Sequence, residues 1–398
     1  MSANRLPRRL CATNWAATDQ EMQMQEYKAI VNAKVVTEQE IINDGFILYG
    51  DGKIVEAGKN CGRLPQGNTE IIDARGCYVG PGFVDIHCHA GGEHWCHEEP
   101  EKMALHHLHG GTTSLVCTLY HNIGIDGILS GGKKIKRAML EGRPGNIVGI
   151  HIEGPYLSKK YGATASNART PETKEHELYL KEFGDAIRQW TVSPEVEGIE
   201  PFVKSALDAG IVISLGHSEA SPERVYEMAE MGAGICTHIT NATGCAISPT
   251  RYGGTLEVSF DHAAMLCDSL LCEMINDEKG VHMRPDMTRL VLKTIGISRA
   301  VGVTDACAGR DDGEQVNIVD GEIFGSKLKM NQVAKNFRNN TGLGVSDIFR
   351  VCSSNPARAV KLTQVGSISP GKDADFVFLD ENLELLKVIL KGKEVPYD

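Results

Sequence analysis

Apolar and β-branched segments of this chain end, one after another, on a histidine or an acid. They are Asp85-Ile86-His87-Cys88-His89, His151-Ile152-Glu153-Gly154-Pro155, Gly216-His217-Ser218 and Thr237-His238, and Val303-Thr304-Asp305-Ala306 adds a carboxylate. Helical stretches between them close on glycine: one before Gly110-Gly111, one near Gly210, helix 222–231 before Gly232 and helix 286–295 before Gly296. Glycine after a helix is a C-terminal stop, and repeated helix–Gly–strand units call for parallel strands. Parallel strands that each deliver a ligand to one rim are how a barrel builds a metal site at its C-terminal face. The pattern predicts an α/β chain with a (β/α)8 TIM-like barrel and a metal-dependent hydrolytic site.

A chain of 398 residues accommodates a barrel of roughly 250 residues and a smaller domain. Short strand patterns at 29–36, 45–49, 53–57 and 70–73, with a hairpin signal at Asp51-Gly52, recur at 375–379 and 385–390. They predict a small β-sandwich domain formed from both termini, residues 27–80 plus 365–398, around a catalytic barrel over 81–364. Residues 1–26 begin with three arginines and no acid before Asp19, and are expected to be a disordered extension.

The net charge of −11 gives the chain no general attraction for nucleic acid or anionic membrane. No apolar run approaches spanning length, and no signal-peptide pattern is present. Twelve cysteines without a CxxC pair fit reduced, mostly buried thiols and a cytoplasmic location, not a Cys-ligated zinc site.

Strand alternation places His87 and His89 on one face, where two imidazoles can share an ion. Glu153 stands where its strand opens into a loop, placed to bridge two ions. Taken singly, His217 and His238 would be satisfied core histidines. Taken together, so many polar side chains inside one barrel are costly unless they coordinate or pair. Asp305 could take a proton from a metal-activated water and hand it to a leaving group; a helix N-cap or a structural ion pair is the alternative. The expected ligand set is His87, His89, Glu153, His217, His238 and Asp305. It would hold a divalent metal, two ions per subunit, with zinc favoured and iron or manganese open. His106, His107 and His109, at a helix C-terminus, are expected to be solvated or to stabilise the helix dipole rather than to act in catalysis. His94 and His97, with Trp95 and Glu98, lie in the loop after His89, where they could shape the pocket, and have no assigned role.

These segments, with Gly110-Gly111-Thr112-Thr113, Thr237-His238-Ile239-Thr240-Asn241-Ala242, Ser354-Asn355-Pro356-Ala357-Arg358 and Pro370-Gly371-Lys372-Asp373-Ala374-Asp375, resemble the amidohydrolase superfamily over about residues 28–395. Within it, the Glu-Gly-Pro and His-x-x-Asn-Ala segments resemble the branch that deacetylates N-acetylglucosamine 6-phosphate. The resemblance implies a metal on Glu153, His217 and His238, with Asp305 as acid/base. It implies substrate contacts from Ala163, Asn241, Ala242, Arg251 and His282, and a homodimer in which such an arginine can reach the neighbouring site. The implied reaction turns N-acetylglucosamine 6-phosphate into glucosamine 6-phosphate and acetate. Another N-acyl amine or a cyclic amide is the alternative substrate, and a non-catalytic barrel with an assembly role the alternative class. Two segments depart from the branch. Gly162-Ala163-Thr164 has threonine where relatives use histidine, and Ala90-Gly91-Gly92-Glu93-His94-Trp95 replaces a glycine-rich run ending in aspartate.

Overall fold

Eight parallel strands form one sheet in strict chain order, each bonded to the next. They run over Phe83–Cys88, Thr112–Tyr120, Ile147–Glu153, Ile187–Val192, Val212–Leu215, Ile235–Cys236, Leu271–Ile275 and Ala300–Val303, and are called the first to eighth barrel strands below. Just beyond the strand ends the eighth closes on the first: Asp305 N–H donates to His87 O at 2.9 Å and His89 N–H to Ala306 O at 2.9 Å. The expected (β/α)8 barrel is therefore present. This computed structural model describes residues 26–59, 69–162, 167–247, 250–319 and 321–396. The extension expected over 1–26 lies outside them except for Glu26, and Ala163 and Thr164 lie outside them as well.

Local sequence sets the helices as read. Helix Pro222–Met231 starts with Ser221 Oγ accepting from Arg224 N at 3.4 Å, takes proline in its first turn, and stops at Gly232 with φ +119°. A positive φ of this kind suits glycine. The fourth and seventh strands were not legible. Both carry polar residues on the barrel's inner side, Gln189 and Thr191 in one and Glu273 in the other, which interrupt the apolar pattern of each. Trp190 points the other way, packs edge-on against Phe202 at 4.8 Å between ring centroids, and donates its Nε1–H to Gly154 O at 2.7 Å. That bond fixes the turn directly after Glu153.

The residues expected to form a second domain pair into one eight-stranded sheet that uses both termini. Strand Tyr27–Val36 bonds Ile41–Gly50 along one edge and is shared along the other. Its first half pairs with Thr69–Asp73, and Lys34 and Val35 pair with Tyr78 and Val79. The division falls at Asn32, whose φ is +53° beside a register shift. A bulge bends a strand and lets a sheet fold over its own core, and Ile30, Ile47, Val79 and Phe376 are buried together there.

The ten described cysteines are all free, and seven are buried. Among the described residues no helix is long and apolar enough to cross a membrane.

Candidate active site

Every candidate ligand sits at the C-terminal end of a barrel strand, where the backbone leaves the sheet. Glu153 ends the third strand, and Gly154 follows at φ +84°. His217, His238 and Asp305 have φ of +51°, +25° and +46°. Left-handed backbone is uncommon for residues with a Cβ and is kept where the surroundings over-determine it. Here it turns side chains from the fifth, sixth and eighth strand ends back over the barrel mouth.

The side chains converge. His217 Nε2 and His238 Nε2 lie 2.9 and 3.2 Å from Glu153 Oε1, and 3.1 Å from each other. His87 Nε2 is 3.4 Å from the same oxygen, and His89 Nε2 is 3.3 Å from Glu153 Oε2. Asp305 Oδ1 is 3.2 Å from His89 Nε2 and 3.5 Å from His87 Nε2. Two groups of ligand atoms result, His87–His89–Glu153 and Glu153–His217–His238, with Glu153 common to both.

Hydrogen bonds behind the rings set which nitrogen faces inward. His87 Nδ1–H donates to Glu273 Oε2 at 2.9 Å, His89 Nδ1–H to Thr118 O at 3.2 Å and His217 Nδ1–H to Tyr161 O at 3.3 Å. Each leaves an Nε2 lone pair pointing into the cluster. His87 Nε2 is buried and has no hydrogen-bond partner. A buried polar atom without a partner is costly, and a metal ion would satisfy it. These nitrogen and oxygen donors fit a divalent ion, and a carboxylate behind a ligating imidazole is the usual support of such a site.

Without an ion, the cluster's own charges balance. Burial would raise the Glu153 carboxyl, but His87 and His217 outweigh it and hold the group well below its ordinary range. Asp305 is likewise raised by burial and, on balance, lowered by His87 and His89. Burial pushes His89 down, and its bonds to Asp305 and Glu153 more than reverse this, to about 9. His151 is the opposite case. It lies deeper, between Thr118 Oγ1 and Thr191 Oγ1, and burial holds it well below its normal value.

A cavity of about 250 Å³ opens over the ligands. Asn241, Ala242 and His282 line it. His282 Nδ1 faces Asp277 Oδ2 at 3.1 Å and Nε2 faces Gly325 O at 3.2 Å. Both partners are acceptors, so both bonds are made only when the ring carries two protons. Burial would raise Asp277, but the bond from His282 and two backbone N–H donors bring it down to about 2. Arg251 is not brought to this cavity. It is exposed in the loop after the sixth strand, where its backbone N–H donates to Glu257 Oε1 at 2.9 Å.

His107 corrects an expectation. It is fully buried rather than solvated, because it shares the inward stripe of helix Pro100–Leu108 with Met103, Ala104 and Leu108. Its Nε2–H donates to Ala90 O at 2.8 Å, and burial lowers its pKa to about 4. Sequence reasoning also missed Glu273, and with it Gln189, whose Nε2–H donates to Glu273 Oε1 at 2.7 Å. A carboxylate inside the apolar run Leu271-Cys272-Glu273-Met274-Ile275 was the available signal.

The Amidohydrolase family profile matches residues 78–395. The chain belongs to the amidohydrolase family. Divalent-metal chemistry follows from that membership and agrees with the donor set above. This amidohydrolase is similar to a Bacillus subtilis N-acetylglucosamine-6-phosphate deacetylase, 28% identical over 93% of this chain and 97% of the relative. It is similar to a Shewanella N-acetylgalactosamine-6-phosphate deacetylase, 28% identical over 78% and 82%. Among solved structures it resembles a variant of N-acetyl-D-glucosamine-6-phosphate deacetylase from Mycobacterium smegmatis in complex with N-acetyl-D-glucosamine-6-phosphate. The TM-score is 0.81 at 27% identity, covering 93% of this amidohydrolase and 99% of that chain.

Proposed function

We propose that this amidohydrolase hydrolyses the N-acetyl amide of N-acetylglucosamine 6-phosphate, giving glucosamine 6-phosphate and acetate. The observation that carries the proposal is Glu153 standing between two histidine pairs at the floor of a cavity whose wall bears Asn241, Ala242 and His282. The family match and the deacetylase relatives point the same way. A non-catalytic barrel would have no reason to keep six ligands converged.

The expected occupants are two divalent ions, zinc favoured. Glu153 would be shared between them, with His217 and His238 on one ion and His87, His89 and Asp305 on the other. A bound ion of this kind lowers the pKa of water toward about 7 and polarises a carbonyl. The chain's own residues do the rest. Asp305 accepts the proton of the attacking water at its carboxylate and returns it to the leaving nitrogen, which would otherwise be expelled poorly. The Asn241–Ala242 backbone and His282, its Nε2 turning from Gly325 O to a phosphate oxygen, would hold the phosphate; Ala163 belongs to the segment that would face the amide. Arg251 would serve the neighbouring subunit of a homodimer. Residues 27–80 with 365–398 support the catalytic barrel of 81–364, and the protein works in the cytoplasm.

The test is acetate release after reconstitution with zinc, manganese or iron. Substrates are N-acetylglucosamine with and without the 6-phosphate, and N-acetylgalactosamine 6-phosphate. The last is included because the Shewanella relative carries that name. Preferred turnover of the glucosamine phosphate supports the proposal. Faster turnover of the galactosamine epimer moves the substrate, and no acetate from any of them ends it.

A further inference from the structure

The cavity has two unlike ends. Asn241 and Ala242, beyond the sixth strand, and His282, beyond the seventh, make one. Trp95, in the loop after the first strand, and Tyr120, ending the second, belong to the other. In a closed ring of eight strands the sixth stands opposite the second, so Asn241 and Ala242 face Tyr120 across the ligand cluster.

The second end is an aromatic wall. Trp95 stacks on Tyr120 with centroids 5.2 Å apart at 28°. Phe324 meets Trp95 edge-on at 6.2 Å and 77°, from a hairpin that follows the eighth strand and whose Gly325 O reaches back to His282 Nε2 at 3.2 Å, so this ring closes the side of the cavity between the two ends. Tyr120 in turn stands edge-on to the candidate ligand His89 at 5.7 Å. The wall is held in place relative to that ligand, because Cys96 N–H donates to His89 O at 2.9 Å and Trp95 pairs with Ala90. All three rings are half-buried and line the cavity, so they are not spent on the barrel core.

The inference rests on the deacetylase reading and extends it. In an amino-sugar 6-phosphate, the 2-amino carbon and the carbon bearing the phosphomethyl group are across the pyranose ring from each other. With the phosphate at the His282 end and the amide carbonyl over the ligands, the acyl substituent runs to the aromatic end. An acetyl methyl covers a small part of one ring, whereas each aromatic side chain offers about 150–250 Å². We propose that Trp95, Tyr120 and Phe324 form an acyl subsite, and that the enzyme deacylates amino-sugar 6-phosphates whose N-acyl group is larger than acetyl. The chemistry is unchanged: water adds to the carbonyl, the C–N bond breaks, the acyl group leaves as a carboxylate and the amine takes the proton.

The experiment compares N-acetyl-, N-propionyl-, N-butyryl- and N-benzoylglucosamine 6-phosphate on the metal-reconstituted enzyme and on Trp95→Ala, Trp95→Phe and Phe324→Ala. Each methylene buried against the wall is worth about fourfold in binding. The butyryl derivative is therefore expected to match or exceed the acetyl one in kcat/KM, through KM. Its ratio to acetyl should fall about tenfold in Trp95→Ala and recover in Trp95→Phe. Using ratios within each variant separates acyl recognition from a general loss of active protein. If acetyl is hydrolysed but propionyl falls 100-fold or more, or if the ratios are the same in all variants, the acyl subsite is overturned and the deacetylase reading stands. If no derivative is hydrolysed, both are overturned.

Discussion

Glu273 Oε2 accepts the Nδ1–H of His87 at 2.9 Å, from the far side of the barrel sheet's closure and 186 residues later in the chain. The same carboxylate accepts from Gln189 Nε2 at 2.7 Å and from His238 N at 3.3 Å. One buried acid thus holds the ring of one ligand and the backbone of another. Glu273→Gln places an amide N–H against these donors. Metal affinity should fall about 10–100-fold, read by competition with a coloured chelator. Unchanged affinity would mean the carboxylate orients nothing.

Two ions per subunit are expected at full activity. In the double variant His87→Asn/His89→Asn, elemental analysis should find one ion fewer while the Glu153–His217–His238 group keeps its own. A wild type fully active with one ion per subunit would refute the two-ion arrangement.

Asp305→Asn should lower kcat about 10²–10⁴-fold, the range for loss of a general acid/base. The pH profile decides whether the loss is one of proton transfer: the limb due to Asp305 should vanish in the variant. Near-normal turnover at normal metal content would remove the residue from the mechanism.

Arg251, exposed and away from its own protomer's cavity, is expected to act across a dimer. Arg251→Ala and His282→Ala should each raise KM for the phosphorylated sugar far more than for the unphosphorylated one. Mixed and reassociated, the two variants should regain a fraction of intact sites, because one subunit supplies the arginine and the other the histidine. No recovery in a verified mixed dimer would place Arg251 elsewhere.

The neutral His107 carries a pH dependence of known sign. Its pKa is about 4 in the fold and near 6.5 unfolded. Between those values the unfolded chain binds the proton and the native one does not, so stability falls as pH drops from 6.5 toward 4, by about 3 kcal/mol at the limit. His107→Gln keeps an N–H for Ala90 O and should flatten this slope in denaturant titrations at pH 7 and pH 5. An unaltered slope would assign the acid sensitivity to other groups.

The six candidate ligands were legible because each ends an apolar run beside a glycine, a proline or a small polar residue. Position along a strand is local information. The supporting residues were not, because Glu273 and Gln189 sit within strands that their inward polar side chains disguise. The aromatic wall was hidden for another reason. Trp95, Tyr120 and Phe324 come from the loop after one strand, the end of a second and a distant hairpin, and no local period records that they meet. His107 was misjudged by weighing its place at a helix end above its place on that helix's buried stripe, Met103, Ala104 and Leu108. Arg251 marks the reverse limit: a resemblance places it near a site, and one protomer's fold does not.

Strand Tyr78–Pro81 is bonded on one side to Tyr27–Val36 and on the other to Phe376–Leu379, with Pro81 opposite Phe376 and Gly82 N–H donating to Asp375 O at 2.9 Å. It leads within two residues into the strand that carries His87 and is followed at once by His89. A ribosome makes its second partner long after the strand itself. At about 5–20 residues per second, roughly 300 residues and 15–60 s separate the two. All six ligands have been synthesised before the strand that anchors the first pair exists. Synthesis of Phe376–Leu379, not of the barrel alone, is therefore what lets a nascent chain complete the support of its first two ligands.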